Sequence, residues 1–166
     1  MILAIDPGST ESAYVVLNKV LKPIRFDKIP NNDLLQYLYE DNFADDGIEK
    51  VAIEMVACYG MPVGKEVFDT CVFIGELKEA IANTICADVQ FIYRKDEKMN
   101  LCNSMKAKDS NIRQALIDRF AQFDLKNGKG TKKQKDWFYG FKADEWAACA
   151  VGICRDTIAC KDLLPL

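Results

Sequence analysis

The stretch that decides the fold stands at residues 2–17 and reads ILAIDPGSTESAYVVL. An apolar run of strand character ends at Asp6, a Pro-Gly-Ser-Thr turn follows, and a second apolar run starts at Ser12. A third run, residues 20–28, is separated from the second by a short polar connection. Three successive strands with short turns predict an antiparallel meander.

Further along the chain, strand and helix patterns alternate. Residues 127–135, NGKGTKKQK, are expected to form a flexible basic loop. The layout is mixed α/β, and 166 residues suit one domain spanning 1–166. Apolar runs predict strands at 50–56 and 88–94, and apolar periodicity predicts helices beginning at residue 30 and over 63–84, 109–120 and 143–159.

The composition excludes several classes of enzyme. The chain has no histidine, which excludes Ser-His-Asp and Cys-His hydrolases, HExxH metalloproteases and His-ligated zinc sites. Its seven cysteines form no CxxC pair, which excludes zinc ribbons and thioredoxin-like motifs. Reduced cysteines serving as small core residues are expected instead. Neither a signal peptide nor a membrane span is expected, because Asp6 ends the first apolar run and no later run approaches about 18 residues.

Positive charge is concentrated in one segment. Residues 1–90 carry 7 basic and 15 acidic side chains, whereas residues 91–142, the basic segment, carry 13 and 6. Basic residues with stacking rings suit a nucleic-acid backbone with partly unpaired bases, although a solvated basic surface has the same composition. The basic segment contains the aromatic residues Phe91, Tyr93, Phe120, Phe123, Trp137, Phe138, Tyr139 and Phe141.

Three carboxylates stand where burial should discourage them. Asp6 ends the first strand, Glu54 interrupts the apolar run VAIEMV, and Asp144 opens the last apolar helix. A lone carboxylate in a strand core is costly unless it is paired, hydrogen-bonded or bound to a cation. Strand-end exposure or helix capping would explain any one of them, but all three together favour a hard-cation site. Oxygen-only ligands select Mg²⁺ or Mn²⁺, and two such ions can clamp the oxygens of a phosphodiester.

Three motifs resemble those of the RuvC family of Holliday-junction resolvases. They are ILAIDPGST at 2–10, AIE at 52–54 and ADEWAACAVGI at 143–153, and the IDPG start is the most specific. The compact length and the divergent middle look most like the RuvC-like resolvases of bacteriophages of Gram-positive hosts, such as lactococcal phages.

The resemblance implies an RNase H-like fold, with a mixed five-stranded sheet of three antiparallel strands and parallel additions, flanked by helices. It also implies a Mg²⁺-dependent homodimer, with Mn²⁺ as a possible substitute, that cleaves four-way DNA junctions and other branched DNA. The implied location is cytoplasmic, which is the host cytoplasm for a phage-encoded protein, with no membrane partner.

The same resemblance assigns roles to individual residues. Asp6, Glu54 and Asp144 match the family's catalytic, metal-binding carboxylates. Lys98 and Lys108 fall close to positions where the family has basic residues near the scissile phosphate.

Two positions depart from the family pattern. Phe141 stands where the family has a fourth metal-site residue, one helical turn before the last aspartate, so Glu145 or Asp136 would have to replace it. The family's junction-wedging phenylalanine after the glutamate has no match at residues 56–57. Tyr59 and Met61 are the nearby candidates for contact with the junction, although packing of their loop would also explain them.

Two further features point to partners. The basic segment is expected to dominate DNA binding, and Lys132, Lys133 and Lys135 in the basic loop are among its expected DNA-binding residues. In the helix predicted over 63–84, the apolar residues do not fit one stripe, since Phe73 lies off the row that contains Phe68. Such a helix needs two burial partners, which predicts the sheet and a second protomer, although a central helix within one protomer would show the same pattern.

Other interpretations remain. Sugar kinases and actin-like ATPases open with a similar strand and Asp-x-Gly-x-Thr turn, but they need two such domains to close over a nucleotide. A related nuclease that acts on structured RNA is one alternative. A non-catalytic protein that binds branched DNA is another, with Phe141 as a sign of decay.

Overall fold

The computed structural model describes residues 1–40, 43, 46–58, 60 and 62–162, with side chains up to residue 158. Its sheet consists of β1 (Ile2–Asp6), β2 (Glu11–Leu17), β3 (Pro23–Pro30), β4 (Lys50–Met55) and β5 (Asp88–Tyr93). Its helices are α1 (Asn31–Tyr39), α2 (Lys65–Thr84), α3 (Arg94–Cys102), α4 (Asp109–Phe120) and α5 (Glu145–Asp162).

The strand order is β3-β2-β1-β4-β5. The pairs β1–β2 and β2–β3 are antiparallel, whereas β1–β4 and β4–β5 are parallel. The predicted meander with parallel additions is therefore confirmed. In the parallel pair β1–β4, Ile5 lies opposite Ile53, so the next residues, Asp6 and Glu54, lie side by side at the carboxyl ends of the strands.

The sheet separates two apolar layers because alternate side chains point to opposite faces. Leu3 and Ile5 of β1 pack with residues of α1 and α2 on one face. Ile2 and Ala4 face the other side, where they pack with residues of α5. Because both faces of β1 are covered, the strand is apolar along its whole length up to Asp6.

Helix α5 lies close to the sheet at Gly152. A Cβ atom on this residue would stand 2.9 Å from Cβ of Ala4 and 2.7 Å from Cδ1 of Leu17, nearer than carbon atoms pack. The absence of a side chain therefore permits the approach. It also fixes the position of Asp144, which immediately precedes the helix, relative to β1.

Two predictions of secondary structure were wrong. Residues 94–102 form α3, which was not predicted because the sequence RKDEKMNLC has no apolar stripe. The third strand begins at Pro23 and not at Val20. The reason is a turn in which the side-chain oxygen of Asn18 accepts the backbone N–H groups of Val20 and Lys22.

The cysteines only partly match the expectation of core residues. Cys149 and Cys154 are buried, but Cys58, Cys71 and Cys86 are exposed, and Cys71 lies on the outer face of α2. Among the helices of the described ranges, none is both long and apolar enough to span a bilayer.

Candidate active site

The three predicted carboxylates line one cleft of about 280 Å³ at the carboxyl edge of the parallel strands. Asp6 ends β1, Glu54 comes from the adjacent β4, and Asp144 immediately precedes α5. Two strand ends and a helix start therefore bring together residues that lie far apart in the sequence.

The turn that follows Asp6 is held by side chains. Ser12 Oγ accepts the N–H of Gly8 at 3.2 Å and donates to Oδ1 of Asn31 at 2.7 Å. The side-chain amide of Asn31 donates to the carbonyl of Gly8 at 3.0 Å. This network ties the turn to the start of α1 and so fixes the end of β1.

Asp6 and Glu54 are half-buried and share a hydrogen bond. Burial raises the pKa of Asp6 to about 8, and the negative charges of Glu54 and Asp144 add to the effect. Burial also raises the pKa of Glu54 to about 7, with a contribution from the charge of Glu97. Carboxyl groups forced together in this way are typical of catalytic and cation-binding sites.

Asp144 is bound to a lysine. Its Oδ2 lies 2.7 Å from Nζ of Lys28, which also lies 3.5 Å from Oε2 of Glu11. The contact with Asp144 raises the pKa of Lys28. Within the described residues, no three acidic or cysteine side chains are arranged as a group that could hold a metal ion.

Sequence analysis missed an ion-pair cluster beside these carboxylates. Arg94, the first residue of α3, lines the cleft together with Asp6 and Glu54. Its Nη1 pairs with Oε2 of Glu97, and its Nη2 pairs with Oδ1 of Asp109. Burial disfavours the charged guanidinium, but the two carboxylates outweigh it and raise the pKa of Arg94 above its usual value.

Glu97 and Asp109 differ sharply in exposure. The Glu97 side chain is fully buried, and burial raises its pKa to about 7 although Arg94 opposes the shift. The Asp109 side chain is 85% exposed. A signal in the sequence was available, because Arg94 directly follows β5, the third parallel strand, and had to emerge beside Glu54.

A second arginine lines the same cleft. The guanidinium carbon of Arg113, on α4, lies 4.6 Å from the ring centroid of Trp146, on α5. Both residues line the cleft with Asp6 and Asp144. The stacking holds a second positive charge at the edge of the site.

The position of the missing fourth carboxylate belongs to the core. Phe141 is 1% exposed, and its ring centroid lies 4.7 Å from that of Phe26 and 5.2 Å from that of Trp146. Glu145 does not line the cleft, and its Oε2 accepts the N–H of Lys142 at 3.0 Å, which is a helix-capping contact. Asp136 also lies outside the lining and has structural contacts of its own.

The remaining predicted residues lie around the cleft or outside the described chain. Neither Lys98 nor Lys108 lines it. Lys98 is half-buried on α3, and Lys108 is exposed immediately before α4, next to Asp109. Tyr59 and Met61, the candidates for contact with the junction, lie outside the described residues.

Residues 124–136, the basic hairpin, contain the loop predicted at 127–135, and their turns are held by side-chain and backbone hydrogen bonds. Asp124 Oδ2 accepts the N–H groups of residues 129 and 130, at 3.2 and 2.9 Å. Gly130 adopts φ 69° and pairs with Lys135 in an antiparallel bridge. Asp136 accepts the backbone N–H groups of Gln122, Phe123, Asp124 and Trp137.

The three predicted DNA-binding lysines are carried by this basic hairpin. Lys132, Lys133 and Lys135 are all exposed. Nζ of Lys135 lies 4.8 Å from the ring centroid of Tyr139. The basic hairpin therefore presents its charges from a backbone that is hydrogen-bonded to Asp124 and Asp136.

Comparison with known proteins gives a clear match at the level of the fold alone. No model of a known protein family matches the chain, and no curated protein sequence matches it. The RuvC of Thermus thermophilus in complex with Holliday junction substrate is similar with a TM-score of 0.70 and 14% identity, over 97% of this chain and 95% of that one. A second T. thermophilus RuvC structure is similar with a TM-score of 0.67 and 14% identity, over 97% of this chain and 96% of that one.

A viral structure is also similar. The resolvase of fowlpox virus, in complex with Holliday junction DNA, gives a TM-score of 0.54 and 13% identity, over 93% of this chain and 97% of that one. The chain thus has the RNase H-like fold of RuvC-like resolvases, as its mixed five-stranded sheet with flanking helices indicates.

Proposed function

We propose that the chain is a structure-selective endonuclease that cleaves phosphodiester bonds in four-way junctions and other branched DNA. The observation that carries the proposal is the convergence of Asp6, Glu54 and Asp144 in one cleft, on a fold shared with junction resolvases. In this proposal residues 1–166 form one nuclease domain of a cytoplasmic, phage-type resolvase.

Mg²⁺, with Mn²⁺ as a substitute, is the cofactor that the donor set fits. Asp6 and Glu54 offer only oxygen atoms as ligands. Their shared hydrogen bond and raised pKa values show that their charged forms are costly here, and a divalent cation would offset that cost. In the structure the three carboxylates are not arranged as a three-ligand group, and Asp144 is paired with Lys28. Asp6 and Glu54 would hold the ion, and Asp144 would join them after releasing Lys28. When bound, Mg²⁺ supplies Lewis-acid activation of water and neutralises charge on the leaving oxygen.

The chain's own residues orient the site. The network of Ser12 and Asn31 fixes the turn after Asp6, and the close approach at Gly152 fixes Asp144 over the strand ends. Lys28, once released from Asp144, would remain beside the cleft as a positive charge for the DNA backbone. Binding and positioning therefore depend on contacts that exist before DNA arrives.

The proposal is tested by cleavage of labelled four-way, Y-shaped and linear DNA with Mg²⁺, Ca²⁺ or EDTA. We expect cleavage of the branched DNAs with Mg²⁺, binding with little cleavage in Ca²⁺, and no cleavage in EDTA. Calorimetric titration with Mn²⁺ alone should show binding that Asp6→Asn weakens. Full activity in EDTA would contradict the metal site.

The same assay separates the alternatives. Preferential cleavage of RNA hairpins would identify a nuclease for structured RNA. Junction binding without cleavage in either Mg²⁺ or Mn²⁺ would identify a non-catalytic protein that binds branched DNA.

We propose that the basic hairpin supplies much of the DNA affinity. Neutralising Lys132, Lys133 and Lys135 together should weaken binding and reduce the slope of log affinity against log salt by up to about 3, because each phosphate contact contributes about 0.9. Lys78→Gln is the matched control, since Lys78 is exposed on α2, whose buried residues pack on the face of the sheet opposite the cluster that contains Trp137. An unchanged slope in the triple variant would move the DNA surface elsewhere.

We propose that the outer face of α2 contacts a second copy of the chain. Phe68 and Val72 are 61% and 63% exposed on this face, opposite the buried Phe73 and Leu77. A two-fold dimer would present two sites to the two equivalent strands of a junction. Phe68→Glu should convert a dimer to a monomer in analytical ultracentrifugation, whereas Val20→Glu, at an exposed position in the turn before β3, should not.

A further inference from the structure

The Arg94 cluster has a geometry that a purely structural ion pair does not need. Arg94 lines the cleft of about 280 Å³ and also an adjoining cleft of about 250 Å³, and Asp6 and Glu54 line both. The guanidinium therefore lies at the junction of the two clefts, beside the proposed catalytic carboxylates.

The two partners of Arg94 hold it in unequal ways. Nη1 is paired with Glu97, which is fully buried, and Nη2 is paired with Asp109, whose side chain is 85% exposed. The first contact is enclosed by protein, whereas the second is open to exchange with solvent or ligand. Guanidinium forks bind carboxylate and phosphate oxygens with the same planar geometry.

Glu97 also makes fewer hydrogen bonds than a buried carboxylate normally does. Its second oxygen, Oε1, is buried and has no hydrogen-bond partner in the described part of the protein. A buried acceptor left in this state destabilises the fold. Its one strong contact is the one that orients Arg94 toward the cleft.

The cleft needs a fixed positive charge. Four carboxylates line it, those of Asp6, Glu54, Asp109 and Asp144, and all of them repel a phosphodiester. Arg113, which also lines the cleft, is held on the ring of Trp146, whereas Arg94 is paired with one of these carboxylates, Asp109. The partner most easily displaced from Arg94 is Asp109, because its side chain is 85% exposed.

We propose that Arg94 binds a phosphate oxygen of the DNA strand in this cleft, that Glu97 is its positioning residue, and that Asp109 occupies the phosphate position until DNA displaces it. The inference rests on the proposed function, because it names a binding residue of the same site. It differs from the expectation for Lys98 and Lys108, neither of which lines the cleft.

The test is binding of four-way DNA in Ca²⁺ over a range of salt concentrations, so that no cleavage is required. Arg94→Gln should weaken binding at least about tenfold and lower the log–log salt slope by about 0.9. Arg94→Lys should restore the slope but only part of the affinity, because an ammonium lacks the fork.

Asp109→Asn gives the sharpest result, because the proposal expects a gain. Binding should tighten about three- to tenfold, since the competing anion is removed. That gain should vanish in the Arg94→Gln background. Glu97→Gln should weaken binding in the wild-type background and have no further effect in Arg94→Gln.

A second ion pair on the surface is the matched control. Nη2 of Arg155 lies 2.9 Å from Oδ2 of Asp88, whose side chain is 78% exposed, and neither residue lines the cleft. Arg155→Gln and Asp88→Asn should leave affinity and salt slope unchanged.

The outcomes separate the inference from the proposed function. Failure of the wild-type protein to bind four-way DNA would end the proposed function itself. Tight wild-type binding with an unchanged slope in Arg94→Gln, or unchanged or weaker binding in Asp109→Asn, would overturn the inference alone. A lower melting temperature in Glu97→Gln with normal binding would reduce Glu97 to a structural residue and overturn its positioning role.

Discussion

The pKa values of half-buried carboxyl groups in the cleft and of a buried carboxyl group in the basic hairpin are shifted in opposite directions. In the cleft, Asp6 and Glu54 are held against each other, and burial raises their pKa values to about 8 and about 7. The charge of Glu54 adds to the shift of Asp6, and the charge of Glu97 adds to the shift of Glu54. In the basic hairpin, burial also acts to raise the pKa of Asp136, but backbone N–H donors outweigh it and lower the pKa to about 2. The charged form of an aspartate is therefore destabilised in the cleft and stabilised in the basic hairpin.

The difference separates residues that build the fold from residues that are kept for a ligand. Asp136 accepts hydrogen bonds from four backbone N–H groups that would otherwise be unpaired. Within the described part of the chain, the Asp6 carboxyl accepts no backbone N–H group, and its burial beside Glu54 costs folding free energy. A protein retains such an arrangement where an external cation or substrate completes it.

The largest expected effect is the loss of chemistry in Asp6→Asn. The rate of junction cleavage should fall about 1000-fold, because a metal ligand contributes several kcal/mol to stabilising the transition state. Thermal stability should stay the same or rise, since a carboxyl group that is costly to bury beside Glu54 is replaced by a neutral amide. Single-turnover cleavage and thermal melting measure the two effects, and near-normal cleavage by the variant would end the proposed mechanism.

Asp136→Asn should do the reverse. We expect the free energy of unfolding to fall by roughly 2–3 kcal/mol, because charge-assisted hydrogen bonds to the backbone are weakened. Cleavage by the folded fraction at low temperature should persist. Denaturant unfolding beside cleavage assays checks both, and a loss of cleavage without a loss of stability would restore Asp136 as a candidate metal ligand.

The two regions should also respond to pH in opposite directions in the metal-free protein. Because the pKa of Asp6 is raised from 3.8 to about 8, the folded state holds the proton more tightly, and stability should rise as pH falls from about 8 toward about 4. The pKa of Asp136 is lowered to about 2, so its contribution is present above about pH 4 and is lost between about pH 4 and about pH 2.

Denaturant unfolding in EDTA across this range tests the contrast. In a plot of unfolding free energy against pH, Asp6→Asn should reduce the slope above pH 5. Asp136→Asn should reduce the slope below pH 4. Equal slopes in both variants and in the wild-type protein would remove the distinction between the regions.

The smallest expected effect concerns Glu145. Because its Oε2 accepts the N–H of Lys142, Glu145→Gln keeps an acceptor and should cost only about 0.5 kcal/mol of stability. Cleavage should remain within about twofold of the wild type. A loss of cleavage and of Mn²⁺ binding with normal melting would make Glu145 a metal ligand after all.

Apolar patterning was sufficient to predict the sheet and the three carboxylates of the cleft. The runs of β1 and β4 are apolar because both of their faces are covered, so Asp6 and Glu54 stand out as charges within them. Asp144 stands out in the same way at the start of the last apolar helix. These carboxylates could be singled out because each is a charged residue within or next to an apolar run.

What was missed depends on contacts between distant parts of the chain. Helix α3 is polar along most of its length and shows no stripe, so neither Arg94 nor Glu97 was recognised. The turns of the basic hairpin are held by Asp124 and Asp136, whose partners are backbone N–H groups that carry no sequence signature. Phe141 looked like a lost ligand, whereas its packing in an aromatic cluster explains it.

The stacking of Arg113 on Trp146 gives the protein a built-in optical reporter. The chain has two tryptophans, and Trp137 lies apart from the cleft lining, stacked on Phe120 with ring centroids 5.5 Å apart. Replacing Trp137 with phenylalanine would leave Trp146 as the sole indole, with a guanidinium 4.6 Å from its ring. A nucleic-acid strand that draws this guanidinium off the ring changes the quenching of the indole, so emission intensity would follow occupancy of the cleft in real time without any attached dye.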